Sequence, residues 1–132
     1  MSQTDLEKRL EDRHIAYLYV NIYKEGGKGV FGLLADLSGD GFKLITDKHI
    51  TEGREYQMLI KNPHSQPAYS LSQFAAKSIW CIEKEKGIFE TGFEFVFVSE
   101  LAQGLFVKLQ HDFEATSYAI NKLDNQSFDV EN

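Results

Sequence analysis

Arg9 and Arg13 stand four apart in a polar opening stretch, Arg9-Leu10-Glu11-Asp12-Arg13. A guanidinium is always charged and presents a planar fork of donors, so it can grip a phosphate by two parallel hydrogen bonds. The second stretch with chemistry in it is Asp36-Leu37-Ser38-Gly39-Asp40-Gly41, set between two apolar runs, Val30 to Ala35 and Phe42 to Ile45. Asp and Ser side chains can hold a bent backbone, or accept from and donate to a ligand, and glycine admits a close approach. Each stretch also has a bland reading. The arginines can be solvated charges neutralised by Glu11 and Asp12, and the second stretch can be a plain β-turn. On ordinary residue frequencies R-x-x-x-R occurs in roughly one chain in three of this length, and D-x-S-x-x-G in roughly one in twenty. Both together are much more specific, with the first before strand one and the second between strands two and three.

The elements that must position these residues read mostly as strands. Residues 1–13 are charged, with only Leu6 and Leu10 apolar at i, i+4, which fits a short helical turn or a mobile arm. His14 to Lys24 alternates, with Ile15, Tyr17 and Tyr19 on one side and Ala16, Leu18 and Val20 on the other. Both sides are fairly apolar, so this strand is expected to be covered on both faces. Glu25 to Gly29 predicts a hairpin turn. Val30 to Ala35 and Phe42 to Thr46 are strands joined by the Asp36–Gly41 turn, and Arg54 to Lys61 is another. Asn62 to Pro67 holds both prolines and reads as a loop. Tyr69 to Glu83 is a long strand ending in Ile79-Trp80-Cys81-Ile82. A charged turn leads into the last strand, Ile88 to Val98, where Gly92 marks a bulge or a close approach.

The apolar period then changes. Leu101, Leu105, Phe106, Leu109, Phe113, Ile120 and Leu123 fall at helical spacing, with Ser99 as the expected N-cap. The last residues, 124–132, form a polar acidic tail expected to be disordered. The pattern predicts a mainly β fold, a six-stranded antiparallel barrel with a C-terminal α-helix packed on it. It divides the chain into an arm (1–13), a barrel with its helix (14–123) and a tail (124–132).

Composition narrows the function classes. With 132 residues, 42% hydrophobic and 13% aromatic, the chain fits one globular domain. A net charge of −6 argues against a general DNA or RNA binder but leaves room for one small anion held by a local basic cluster. Cys81 is the single cysteine, which excludes an intrachain disulfide, and beside Trp80 it is expected to be a buried core thiol. The four histidines, at 14, 49, 64 and 111, lack metal-ligand spacing, so no metal is expected. Neither a signal peptide nor an apolar run of about 20 residues is found, so a cytoplasmic protein without membrane insertion is expected. No nucleophile–base pair or phosphate loop points to an enzyme, and no cofactor is implied.

Taken together, the two motifs make the sequence similar to the PilZ domain family, bacterial receptors for cyclic di-GMP. The resemblance spans roughly Leu6 to Leu109. It rests on Arg9-Leu10-Glu11-Asp12-Arg13 and Asp36-Leu37-Ser38-Gly39-Asp40-Gly41. Further agreement comes from Ile79-Trp80 followed by a hairpin, from Thr91-Gly92-Phe93-Glu94-Phe95, and from the terminal helix. It implies a six-stranded barrel, a flexible arginine-bearing arm, and cyclic di-GMP gripped between arm and barrel. In the roles it implies, Arg9 and Arg13 hold guanine and phosphate, while Asp36, Ser38 and Gly41 read a guanine from the barrel face. Lys8 would touch a phosphate, and Trp80 would lie at the ligand's edge. The chemistry agrees, since an Arg fork suits phosphate or guanine O6 and N7, and a carboxylate accepts from the guanine N–H edge.

Two departures from the family pattern stand out. Glu11 and Asp12 place negative charge inside the arginine motif, and His14 follows Arg13 where a small or apolar residue is expected. The resemblance implies signalling to an unidentified protein partner in motility, exopolysaccharide synthesis or biofilm formation. The alternative is a degenerate PilZ-like adaptor, pilus or flagellar, that binds protein and no nucleotide.

Overall fold

The computed structural model of the protein describes residues 5–13, 20–27, 29–61 and 71–112. The opening of the expected first strand, the proline loop and the acidic tail lie outside these residues. Six strands form near the expected places, β1 (Asn21–Lys24), β2 (Gly32–Leu37), β3 (Gly41–Thr46), β4 (Glu55–Lys61), β5 (Leu71–Glu85) and β6 (Ile88–Val98), with β2 two residues later than expected and carrying Asp36 and Leu37 out of the turn. They close into a barrel in the order β1-β2-β3-β6-β5-β4, and every pairing is antiparallel. Closure leaves no sheet edge free to pair with another chain. The β5–β6 connection is the two residues Lys86 and Gly87, and Gly87 takes a φ of 77° that other residues rarely adopt.

Alternation sorts the side chains between the barrel's two faces. Ile22, Leu34, Leu44, Met58, Ile60 and Phe74 point inward and are fully or nearly fully buried. Phe42 stacks on Phe93 with ring centroids 5.0 Å apart and meets Phe74 edge-on at 5.7 Å. A helix, α2 (residues 100–112), packs on this core. Ser99 caps it as expected, its Oγ accepting from the Ala102 N–H at 3.2 Å. The buried stripe is Ala102, Leu105, Phe106 and Leu109, and Phe106 meets Phe74 edge-on at 5.1 Å. Leu101, expected on that stripe, is 77% exposed. The i, i+3, i+4, i+7 face starts one residue later, at an alanine too small to stand out in an apolar pattern. Cys81 is half-buried against the core, not enclosed within it.

A second apolar cluster lies on the outside of the barrel. A helix, α1 (Asp5–Asp12), lays the fully buried Leu10 against Leu33, Ile45 and Ile88, with Leu6, Val30 and Ala35 around them. Of the two readings open for the first 13 residues, the described part takes the helical one. No helix among the described residues is long and apolar enough to cross a membrane.

Candidate ligand-binding site

Two irregularities in the sheet build one outward-facing row. The β2–β3 register shifts between Leu34 and Asp36, so Leu34 pairs with Leu44 while Asp36 pairs with Lys43. Strict alternation would put Asp36 inside with Leu34; the extra residue turns it outward. On β5 the register shifts between Ser78 and Trp80, so Ser78 pairs with Phe93 and Trp80 with Gly92. Ser78 is fully buried, and the shift turns Trp80 to the opposite side. Lys43 also pairs with Gly92. Across β2, β3, β6 and β5 the row therefore reads Asp36, Lys43, Gly92, Trp80. A Cβ on Gly92 would collide with Nε1 and Cε2 of the Trp80 indole, and would stand 2.7 Å from its Cζ2. The close approach expected at Gly92 is thus made by Trp80, and the bulge sits on the strand opposite.

The turn beside this row is held by its own groups. Asp36 and Leu37 finish β2, Ser38 to Asp40 make the bend, and Gly41 opens β3. The Ser38 N–H donates to the Gly41 carbonyl at 2.9 Å. The Ser38 hydroxyl accepts from the Gly41 N–H and donates to its carbonyl, each at 3.3 Å. The Phe95 N–H donates to the Asp40 carbonyl at 3.0 Å and ties the bend to β6. Asp36 Oδ1 accepts from the Leu37 N–H at 2.8 Å, while Oδ2 makes no hydrogen bond among the described residues. A Cβ on Gly41 would collide with the Phe93 carbonyl oxygen. Its missing side chain serves the close packing of β3 on β6, a structural use of the glycine that the motif alone did not reveal.

Row and turn together wall an open cleft of about 630 Å³. Asp36, Ser38, Gly41 and Trp80, all candidates from the sequence, line it. The sequence reading missed Lys43, Asp40 and Glu94, which line it too. Lys43 was legible, because Phe42 and Leu44 on either side are inward residues and alternation sends it out.

The arginines are elsewhere. Arg9 Nη2 donates to the carbonyls of Gly87 at 2.7 Å and Lys86 at 3.4 Å. Arg13 Nη1 lies 3.2 Å from Glu85 Oε2, an ion pair without aligned hydrogen-bond geometry. Lys8 is exposed on α1. These three residues do not line the cleft, although α1 packs next to Ala35, the neighbour of Asp36.

A closed six-stranded antiparallel barrel, plugged by a C-terminal helix and bearing an open cleft on its outer wall, defines a small β-barrel binding domain. The PilZ domain family model matches residues 7–115, and the chain belongs to that family. A search of curated proteins found no match. PilZ domains are binding and adaptor domains, and the family is in general one of cyclic di-GMP receptors. The resemblance read from the two motifs, and the mainly β barrel it implied, are both borne out.

Proposed function

We propose that this protein is a cyclic di-GMP receptor without catalysis of its own, which signals to a protein partner through its arginine-bearing helix. The observation that carries the reading is the meeting of Asp36, Ser38 and Trp80 in one open cleft. Asp36 Oδ2, which makes no hydrogen bond among the described residues, would accept from the N–H edge of a guanine, which arginine and lysine cannot do. The Trp80 indole, at the other end of the row, offers a face for the ligand's second purine to stack on. Motility, exopolysaccharide synthesis or biofilm formation would be the process served, in the cytoplasm.

Arg9 and Arg13 reach such a ligand only by leaving the β5–β6 turn. The Arg13–Glu85 pair has side chains 63% and 36% exposed, and such a pair contributes roughly 0–1 kcal/mol. Arg9 gives up a bond to the Gly87 carbonyl that is itself charge-assisted, worth about 1.5–3 kcal/mol. A phosphate carries a full charge and takes two parallel bonds from one guanidinium, more than a single carbonyl offers, so exchange favours the ligand. The ligand then selects the arrangement in which helix and barrel both contact it, and the rearranged α1 is what a partner reads.

Calorimetric titration with cyclic di-GMP, with GTP and GMP as controls, tests the reading. Saturable heat with cyclic di-GMP alone is expected; no heat with any nucleotide would favour the protein-only adaptor. The exchange makes a second prediction. Glu85→Gln removes the charge that holds Arg13, so affinity should rise, by up to about fivefold given the worth of an exposed pair. Unchanged affinity would mean that Arg13 keeps its place on binding.

A further inference from the structure

The cleft poses a charge problem for an anionic ligand. Asp36, Asp40 and Glu94 line it, and the chain as a whole carries −6. Against these carboxylates, Lys43 is the one cation among the described lining residues. It is half-buried, its stem lying against the barrel wall. It stands opposite Asp36 on one side and Gly92 on the other. Among the described residues it nevertheless makes no ion pair, with Asp36 or any other acid. Beyond Gly92 lies the Trp80 indole, resting on the glycine backbone. Carboxylate, ammonium and aromatic ring thus follow one another across four adjacent strands. That order suits a cyclic dinucleotide, with the edge of one base on the acid, the face of the other on the ring, and a phosphate on the cation between them.

We infer that Lys43 is the barrel's own phosphate contact, a binding residue outside both sequence motifs. The inference rests on the nucleotide-receptor reading and deepens it. Arg9 and Arg13 come to the ligand with the helix, whereas Lys43 is fixed on the barrel wall and in place beforehand. It offsets the cleft's carboxylates where an incoming phosphate first meets them. Because part of its contribution is charge attraction in an open cleft, that part weakens as salt is added.

The test is titration of the full chain with cyclic di-GMP at low and high salt, comparing wild type, Lys43→Gln and Lys43→Arg. Lys43→Gln should bind about tenfold more weakly at low salt, and the gap should narrow at high salt. Lys43→Arg should stay close to wild type. If wild type binds and Lys43→Gln binds equally well, Lys43 has no such role, while the receptor reading stands. If Lys43→Arg is as weak as Lys43→Gln, the cation role is overturned. If wild type does not bind, both readings fall together. Should Lys43→Gln not fold, an amine-reactive acylating reagent decides on wild type: Lys43 protected by saturating cyclic di-GMP supports the role, and unprotected Lys43 overturns it.

Discussion

Arg9→Ala and Arg13→Ala should each weaken cyclic di-GMP binding by about 1.5–3 kcal/mol, the worth of a hydrogen bond to a charged group. The free protein engages both side chains away from the cleft, at Gly87 and Glu85. That prior engagement lowers the expected loss little for Arg13, whose ion pair is exposed, and more for Arg9, whose carbonyl bond is itself charge-assisted. Arg13→Ala should leave the fold as stable as before. Arg9→Ala removes a part-buried, charge-assisted bond to the β5–β6 turn and should cost roughly 1.5–3 kcal/mol of stability. Circular dichroism and calorimetry on the same samples separate the two effects. The double variant should lose less than the sum, since both arginines act on one ligand. Full affinity retained in both single variants would sink the assignment of the arginines to the site.

Gly41→Ala should destabilise the fold by about 3 kcal/mol or more, beyond the usual range for overpacking. The added Cβ meets the Phe93 carbonyl oxygen and comes within 3.2 Å of Glu94 Cα, so backbone and not a flexible side chain must yield. Parting β3 from β6 there would also disturb Phe42, which stacks on Phe93 in the core. Gly39→Ala, two residues earlier in the same motif, is the matched control. A Cβ on Gly39 meets nothing within 4 Å, and stability should change by no more than about 0.5 kcal/mol. Urea unfolding of the two variants checks this, and equal midpoints would show that β3 and β6 are not packed as closely as described. Any loss of binding in Gly41→Ala therefore has to be corrected for the unfolded fraction before it is read as a ligand contact.

Much of the barrel was legible because its signals are local. Alternation placed β4, and an apolar run after a charged turn placed β6, nearly residue for residue, while Ser99 before a change of period marked the start of α2. The two motifs likewise sufficed for the family. Helix α1 was not decidable in this way. Eight residues are too few to hold a helix alone, and only the pocket of Leu33, Ile45 and Ile88, drawn from three strands, fixes Leu10 and with it the helix. The site was half legible. Residue types named Asp36 and Ser38, and the family resemblance named Trp80, but alternation by itself would have turned Asp36 inward with Leu34, and Trp80 inward with Ser78. Only the register shifts against β3 and β6 bring both to the outer wall, and a register shift is settled by the partner strands. The resting place of Arg9, on a carbonyl 78 positions along the chain, was likewise decided by tertiary structure. A guanidinium takes whichever acceptor the fold brings within reach, and the sequence around it does not record that distance.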